Sequence, residues 1–233
     1  DLGLIKLIDE AVGSIVLVTP IGDSFDMADV ASYYALQTAM LSQKEAKRLE
    51  DGTAIYYSDA EYFGGYGFEY FIGIDDGATF FNNYIAPEID FSGRMAGVLL
   101  FGGDMQRTRQ PATFVPIALV NSDEAIVSKY RAVNGVNAQD VMDGRVVSYN
   151  QQWPLRKVID ISEETVDKAA LIEEVYRGMM VKAMRVPVLT QGMNSAGTPY
   201  SGYGFDEAPY SLCDRCYVVD GKTEGGVVMI SHQ

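Results

Sequence analysis

Two cysteines stand three positions apart in "CDRC", residues 213 to 216, and the chain has no other thiols. Thiols at that spacing can close a disulfide, act as a redox dithiol or supply half of a tetrahedral zinc site. A redox pair normally opens a helix whose N-terminus stabilises the thiolate, whereas the residues that follow here, "YVVDGK", read as a strand. Zinc would need further ligands from elsewhere. A local disulfide between Cys213 and Cys216, formed in an oxidising compartment, is therefore the expected state.

Other chemistry is sparse. The single histidine, His232, is the penultimate residue, where chain ends fray, so a nucleophilic triad built on it is not expected. "GMNSAG" at 192 to 197 has the wrong spacing for a nucleophile elbow, "GYGFEY" at 65 to 70 lacks the third glycine of a dinucleotide fingerprint, and no phosphate loop occurs. Asp75 and Asp76 fall in "YFIGIDDGATFF" (70 to 81), where Asp-Gly between apolar runs predicts a hairpin tip and two solvated turn formers. The acidic loops do not follow the alternating ligand pattern of a calcium loop. No catalytic residue, cofactor or metal is expected, and the chain is read as non-catalytic.

Charge narrows the partners. Eighteen basic residues against thirty-two acidic ones give a net charge of -14, which repels nucleic acid and anionic membrane surfaces unless a basic patch intervenes. Arg107 and Arg109, two positions apart, have no further basic neighbours in sequence. Residues 2 to 18, "LGLIKLIDEAVGSIVLV", are apolar but carry Lys6, Asp9 and Glu10, so a docked arm is expected there rather than a membrane span. Position 1 is Asp rather than Met, from which a processed or trimmed start is expected. Fifteen tyrosines, twenty-three glycines and strong acidity point to an extracellular, cell-surface or virion location.

The elements that would carry these residues follow from periodicity. Residues 24 to 51 predict a helix with Met27, Val30, Tyr34 and Leu41 along one face, Asp29 near its positive end and Gly52 closing it. Residues 162 to 185 predict a second helix, capped by Ser162 and stopped by Pro187, with a buried stripe through Ala169, Ile172, Tyr176, Met179, Met180 and Ala183. Gly178 inside it, costing about 1 kcal/mol against Ala, implies a bend or a close approach to a sheet. "MAGVLLFG" (95 to 102), "ATFVPIALV" (112 to 120) and "GRVVSY" (144 to 149) predict strands, with Pro116 marking an edge or bulge, and 122 to 133 a short helix capped by Ser122.

"GYGF" occurs at 65 to 68 and again at 202 to 205, a shift of 137, and the same shift carries the first helix onto the second. The order helix, loop, GYGF, strand, Asp-Gly, strand is thus written twice, which predicts an internal duplication. The expected fold is α+β: two related units, each an amphipathic helix packed on an antiparallel sheet, preceded by an apolar arm. The expected divisions are an arm over 1 to 22, a first unit over 23 to 135 and a second over 136 to 233. Clustered tyrosines and an apolar arm suit self-association, so the expected interface comprises Leu4, Ile5, Ile8, Val12 and Ile15 with Tyr62, Phe63, Tyr66, Phe68 and Tyr70. The repeated pattern loosely resembles double pilin-like subunits and tandem PAS-like sensor modules. Lys6, Asp9 and Glu10 depart from the almost wholly apolar segment of the former. The resulting expectation is a non-catalytic subunit that assembles with copies of itself into a filament, surface layer or particle; the alternative is an extracytoplasmic ligand-binding sensor domain.

Overall fold

The computed structural model describes residues 2–11, 15–41, 43–48, 50, 54–58, 69–89, 95–151, 156–180, 185–193 and 199–207. The chain divides into two compact units, Asp1–Phe68 and Glu69–Gln233. Residues 135 and 136, the expected junction between halves, connect a helix to a strand within Glu69–Gln233.

In the first unit, helix α1 (Leu4–Ala11) precedes an extended stretch and helix α2 (Met27–Leu41). The chain then forms an antiparallel hairpin of strands β1 (Gln43–Arg48) and β2 (Ala54–Ser58), with a bulge between Glu45 and Lys47. The predicted helix over 24 to 51 therefore overruns at its C-terminal end, past Leu41. "QKEAKR" has helical propensity, but the β-prone "AIYYS" offers a full set of ladder partners, and pairing overrides propensity. Asp29 does more than meet the helix dipole: its buried carboxylate accepts from the Ile21 amide (2.8 Å) and the Asp26 amide (2.9 Å), tying the extended stretch to α2.

The second unit begins with strand β3 (Glu69–Ile74), which leads directly into helix α3 (Asp76–Phe80). This helix continues as a wider π turn over Phe81–Ile85 and a 3₁₀ turn over Ala86–Glu88. Strands β4 (Met95–Phe101) and β5 (Ile117–Val120), helix α4 (Glu124–Asn134), the hairpin β6 (Ala138–Met142) and β7 (Arg145–Tyr149), strand β8 (Lys157–Ile161) and helix α5 (Lys168–Gly178) follow. A separate antiparallel pair, β9 (Arg185–Met193) and β10 (Pro199–Glu207), comes last.

The six-stranded sheet has the order β3-β4-β5-β8-β7-β6. Its first four strands run parallel, and β7 alone runs against them, pairing antiparallel with both β8 and β6. The expected antiparallel sheet is thereby corrected. "MAGVLLF" and "IALV" are continuous apolar runs rather than alternating ones, and a strand buried on both faces belongs in a covered parallel sheet. Register makes the two faces explicit, because cross-strand partners share a side. Phe71, Val98 and Ile117 lie on one face, where Phe81 packs on Phe71 with ring centroids 4.5 Å apart. Tyr70 and Gly97 lie on the other, beneath α5: Tyr176 meets Tyr70 edge-on at 5.7 Å, and Met180 fills the space a side chain at Gly97 would need. Helices thus cover both faces of the sheet.

The close helix-to-sheet approach predicted at Gly178 is found at Gly97. Gly178 itself is exposed and has open space around its Cα. Pro116 precedes β5, a central strand, and its carbonyl accepts from the Val98 amide (2.9 Å), so the missing donor costs the ladder nothing. The caps also move by a few residues. Asp123 caps α4 through the Ala125 amide, and Asp167 caps α5 through the Ala170 amide.

Candidate functional site

Parallel strands align their carboxyl ends on one edge of the sheet, and in open α/β sheets that edge is where ligands bind. Here Ile74, Phe101, Val120 and Ile161 are in register at that edge. Beyond them one more rung forms: the amides of Asp75, Gly102 and Asn121 donate to the carbonyls of Phe101, Val120 and Ile161 at 2.8 to 2.9 Å. Each of those three residues then turns with positive φ, at 50° for Asp75, 63° for Gly102 and 52° for Asn121.

Asn121 is held structurally, its amide group exchanging two hydrogen bonds with the backbone of Glu163 (2.9 and 3.0 Å). Gly102 leaves room beside the Asp75 carboxylate, since an added Cβ would lie 3.7 Å from Asp75 Oδ1. Asp75 has φ 50° and ψ -102°, a combination that L residues rarely adopt, and its side chain is 80% exposed. Across the edge, Lys168 at the start of α5 brings Nζ to 4.0 Å from Asp75 Oδ2 and 6.0 Å from the Phe101 ring.

Around this pair the backbone is fixed by side chains. Thr79 Oγ1 donates to the Asp75 carbonyl (3.2 Å) and accepts from the Asp104 amide (2.9 Å). Asn83, turned inward by the π turn, donates to the carbonyls of Thr79 and Asp104 and accepts from the Gln106 amide. Lys129 Nζ donates to the carbonyls of Gln106, Arg107 and Arg109, the last at 2.6 Å. Three side chains from two helices therefore pin the loop after β4.

Other described polar groups of this unit join its elements to one another. Asn134 exchanges two hydrogen bonds with the Val115 backbone, both 3.1 Å. Tyr130 donates to Asn82 Oδ1 (2.8 Å), and burial pushes its phenol well above the usual range. Arg145 on β7 pairs with Glu163 and Glu174, joining the sheet to α5. Among the described residues, no three His, Cys, Asp or Glu side chains are grouped to hold a metal, and no helix is long and apolar enough to cross a membrane.

Of the residues expected at an interface, Ile5 and Ile15 are exposed, Leu4 is half-buried, and Tyr70 is half-buried against α5. The side chains of Ile8, Val12, Tyr62, Phe63, Tyr66 and Phe68 lie outside the described residues, as do Cys213 and Cys216. Sequence reasoning did not single out Lys168, Gly102 or Thr79. It placed Asp75 and Asp76 at a hairpin tip, whereas the chain there passes from strand to helix. The signal that distinguishes the two is the set of small residues around Asp75: Gly73, Gly77 and Ala78. Comparison with protein-family models, curated proteins and solved structures returns no match for this chain.

Proposed function

We propose that the chain is a subunit that assembles with copies of itself, through its N-terminal arm, into an extracellular filament, surface layer or virion particle. The observation that carries this reading is where large apolar side chains meet water. Leu17 is 85% exposed, Ile21 70% and Ile5 65%, with Ile15 and Val18 also exposed, all within the first 22 residues. A contiguous apolar stretch left in water is costly and marks a surface that is covered in use. A net charge of -14 argues against an anionic membrane or nucleic acid as the cover, and a second copy requires no partner of special chemistry.

The internal duplication belongs to the same proposal. Its support is that α2 and α5 are each followed by a two-stranded antiparallel hairpin, with the second GYGF copy in β10. Residues 65 to 68 of the first copy lie outside the described residues. The disulfide between Cys213 and Cys216 is likewise proposed on sequence grounds.

Light scattering on the intact chain, on one lacking residues 1 to 22 and on the Leu17→Glu, Ile21→Glu double variant tests the assembly. Oligomers are expected for the intact chain and monomers for the other two. A monomer in all three, with a melting temperature that rises in the presence of a small metabolite, would instead support the sensor reading.

A further inference from the structure

At Asp75 a parallel strand ends, the chain turns sharply through one residue, and a helix begins. That residue has φ 50° and ψ -102°. A strand-to-helix elbow of this kind lifts one side chain clear of its own backbone at the carboxyl edge of a parallel sheet, where it can attack a substrate. Such an elbow is sterically crowded on its inner side. An added Cβ at Gly73, two residues before the turn, would lie 2.9 Å from the Cα and N of Ala78 and from Leu100 Cδ2. At Gly103, on the neighbouring strand's exit, it would lie 2.6 Å from Ala78 Cβ and 2.8 Å from the Thr79 amide nitrogen. Small residues at 73, 77, 78 and 103 are thus the condition for holding Asp75 in this conformation, which costs on the order of 1–3 kcal/mol and is retained only where the surroundings over-determine it. Thr79 and Asn83 supply that restraint through the hydrogen bonds to the Asp75, Thr79 and Asp104 backbone.

A second element independently brings a cation to the same carboxylate. Lys168 is the first residue of α5, where the helix dipole disfavours positive charge, yet its ammonium extends to within 4.0 Å of Asp75 Oδ2. Gly102 beside the carboxylate contributes no side chain to obstruct approach.

We infer that Asp75 is a nucleophilic carboxylate, partnered by Lys168 as proton donor, and that the site takes a neutral electrophile of the epoxide class. An anionic substrate would have to approach a chain of net charge -14, with Asp76 adjoining the attacking group. In the first step Asp75 Oδ2 forms a bond to a ring carbon. The carbon–oxygen bond of the ring breaks, its electron pair goes to the oxygen, and that oxygen takes a proton from Lys168 Nζ. The product is a hydroxyalkyl ester on Asp75 and a neutral Lys168 amine. Water then cleaves the acyl carbon–oxygen bond of the ester, releasing a diol; the proton of the regenerated carboxyl returns to Lys168, so the cycle closes without another reactant. This activity goes beyond assembly through the arm, and either can hold without the other.

The test is to incubate the full chain with 1,2-epoxy-3-phenoxypropane and follow intact mass, diol release and the labelled peptide. One equivalent of hydroxylamine-sensitive ester is expected, mapped to Asp75, with or without turnover. Asp75→Asn abolishes it, and because Asn tolerates positive φ the variant keeps its parent's circular dichroism and melting temperature. Asp76→Asn, altering the neighbouring exposed acid, leaves the label in place. Lys168→Met slows labelling about a hundredfold, whereas Lys168→Arg, which keeps the charge but is a far weaker proton donor, does not restore the parent's rate. Label spread evenly over exposed carboxylates, neither ester nor diol, or equal formation of ester or diol by folded Asp75→Asn would overturn the inference.

Discussion

The two units differ in where most of their described apolar residues lie, with Val141 and Met142 on the edge strand β6 the large exposed ones in the second. In the second, Val98, Leu99, Leu100, Ile117, Ala118 and Leu119 are completely buried, because helices lie on both faces of the strands that carry them. In the first, Leu7 and Tyr33 are buried, while Ile15, Leu17, Val18, Ile21 and Met27 face solvent. Composition does not separate these regions: "IVLVTPI" at 15 to 21 is as apolar as "MAGVLLF" at 95 to 101. What separates them is the availability of covering layers. A strand inside a parallel sheet finds two, and an extended arm tied down through Asp29 at one end finds few among the described residues. Apolar surface left exposed among the described residues of its unit is the physical reason for proposing a neighbouring copy as its cover.

The sharpest way to break this contrast is to truncate one leucine from each region. Leu99→Ala should cost about 2–5 kcal/mol in denaturant unfolding, since it removes side-chain contacts and leaves a cavity. Leu17→Ala should change stability by less than about 0.5 kcal/mol while weakening oligomers in light scattering. Equal losses at both positions would mean that the arm is packed within its own chain. A smaller effect is expected at the carboxyl edge: Gly103→Ala places a Cβ against Ala78 at φ 82°, and a loss of about 1–3 kcal/mol should appear in thermal melts.

The smallest effect concerns Asp160, half-buried under α4. Burial raises its carboxyl above the ordinary range, Glu124 adds to this, and Arg131 at 3.3 Å opposes it. A carboxyl with a raised folded-state value contributes most below its unfolded value, and that contribution is lost as pH rises through the folded one. Asp160→Asn is therefore expected to compare best with the parent near neutral pH and progressively worse as pH falls through the raised folded value, levelling off below the unfolded value of about 4. A stability difference that stays flat with pH would remove the burial argument.

Much of the element inventory was legible in sequence. Strands at 95 to 101 and 145 to 149 and the helix at 168 to 178 lie within the predicted stretches, and the helix at 124 to 134 passes its stretch by one residue, because their apolar spacing reflects which side chains are buried. The errors have local causes. Periodicity lays Met27, Val30, Tyr34 and Leu41 along one face of the first helix, yet Met27 and Tyr34 are exposed while Asp29 and Tyr33 are buried. Helix periodicity gives a face, but the Asp29 clamp sets which face turns inward. Asp76 and Gly77 read as a hairpin because the dipeptide favours positive φ. Here positive φ falls on Asp75, and the next residues enter a helix.

By itself, the sequence determined the positions of the principal helices and strands, the acidic surface and the apolar character of the first 22 residues. These are properties of single segments, set by side-chain chemistry and local periodicity. Strand direction, the covering of both sheet faces and the meeting of Asp75 with Lys168, 93 positions away, were decided only in three dimensions. Such features depend on which segments share a ladder or a face, and a one-dimensional pattern carries no term for that pairing.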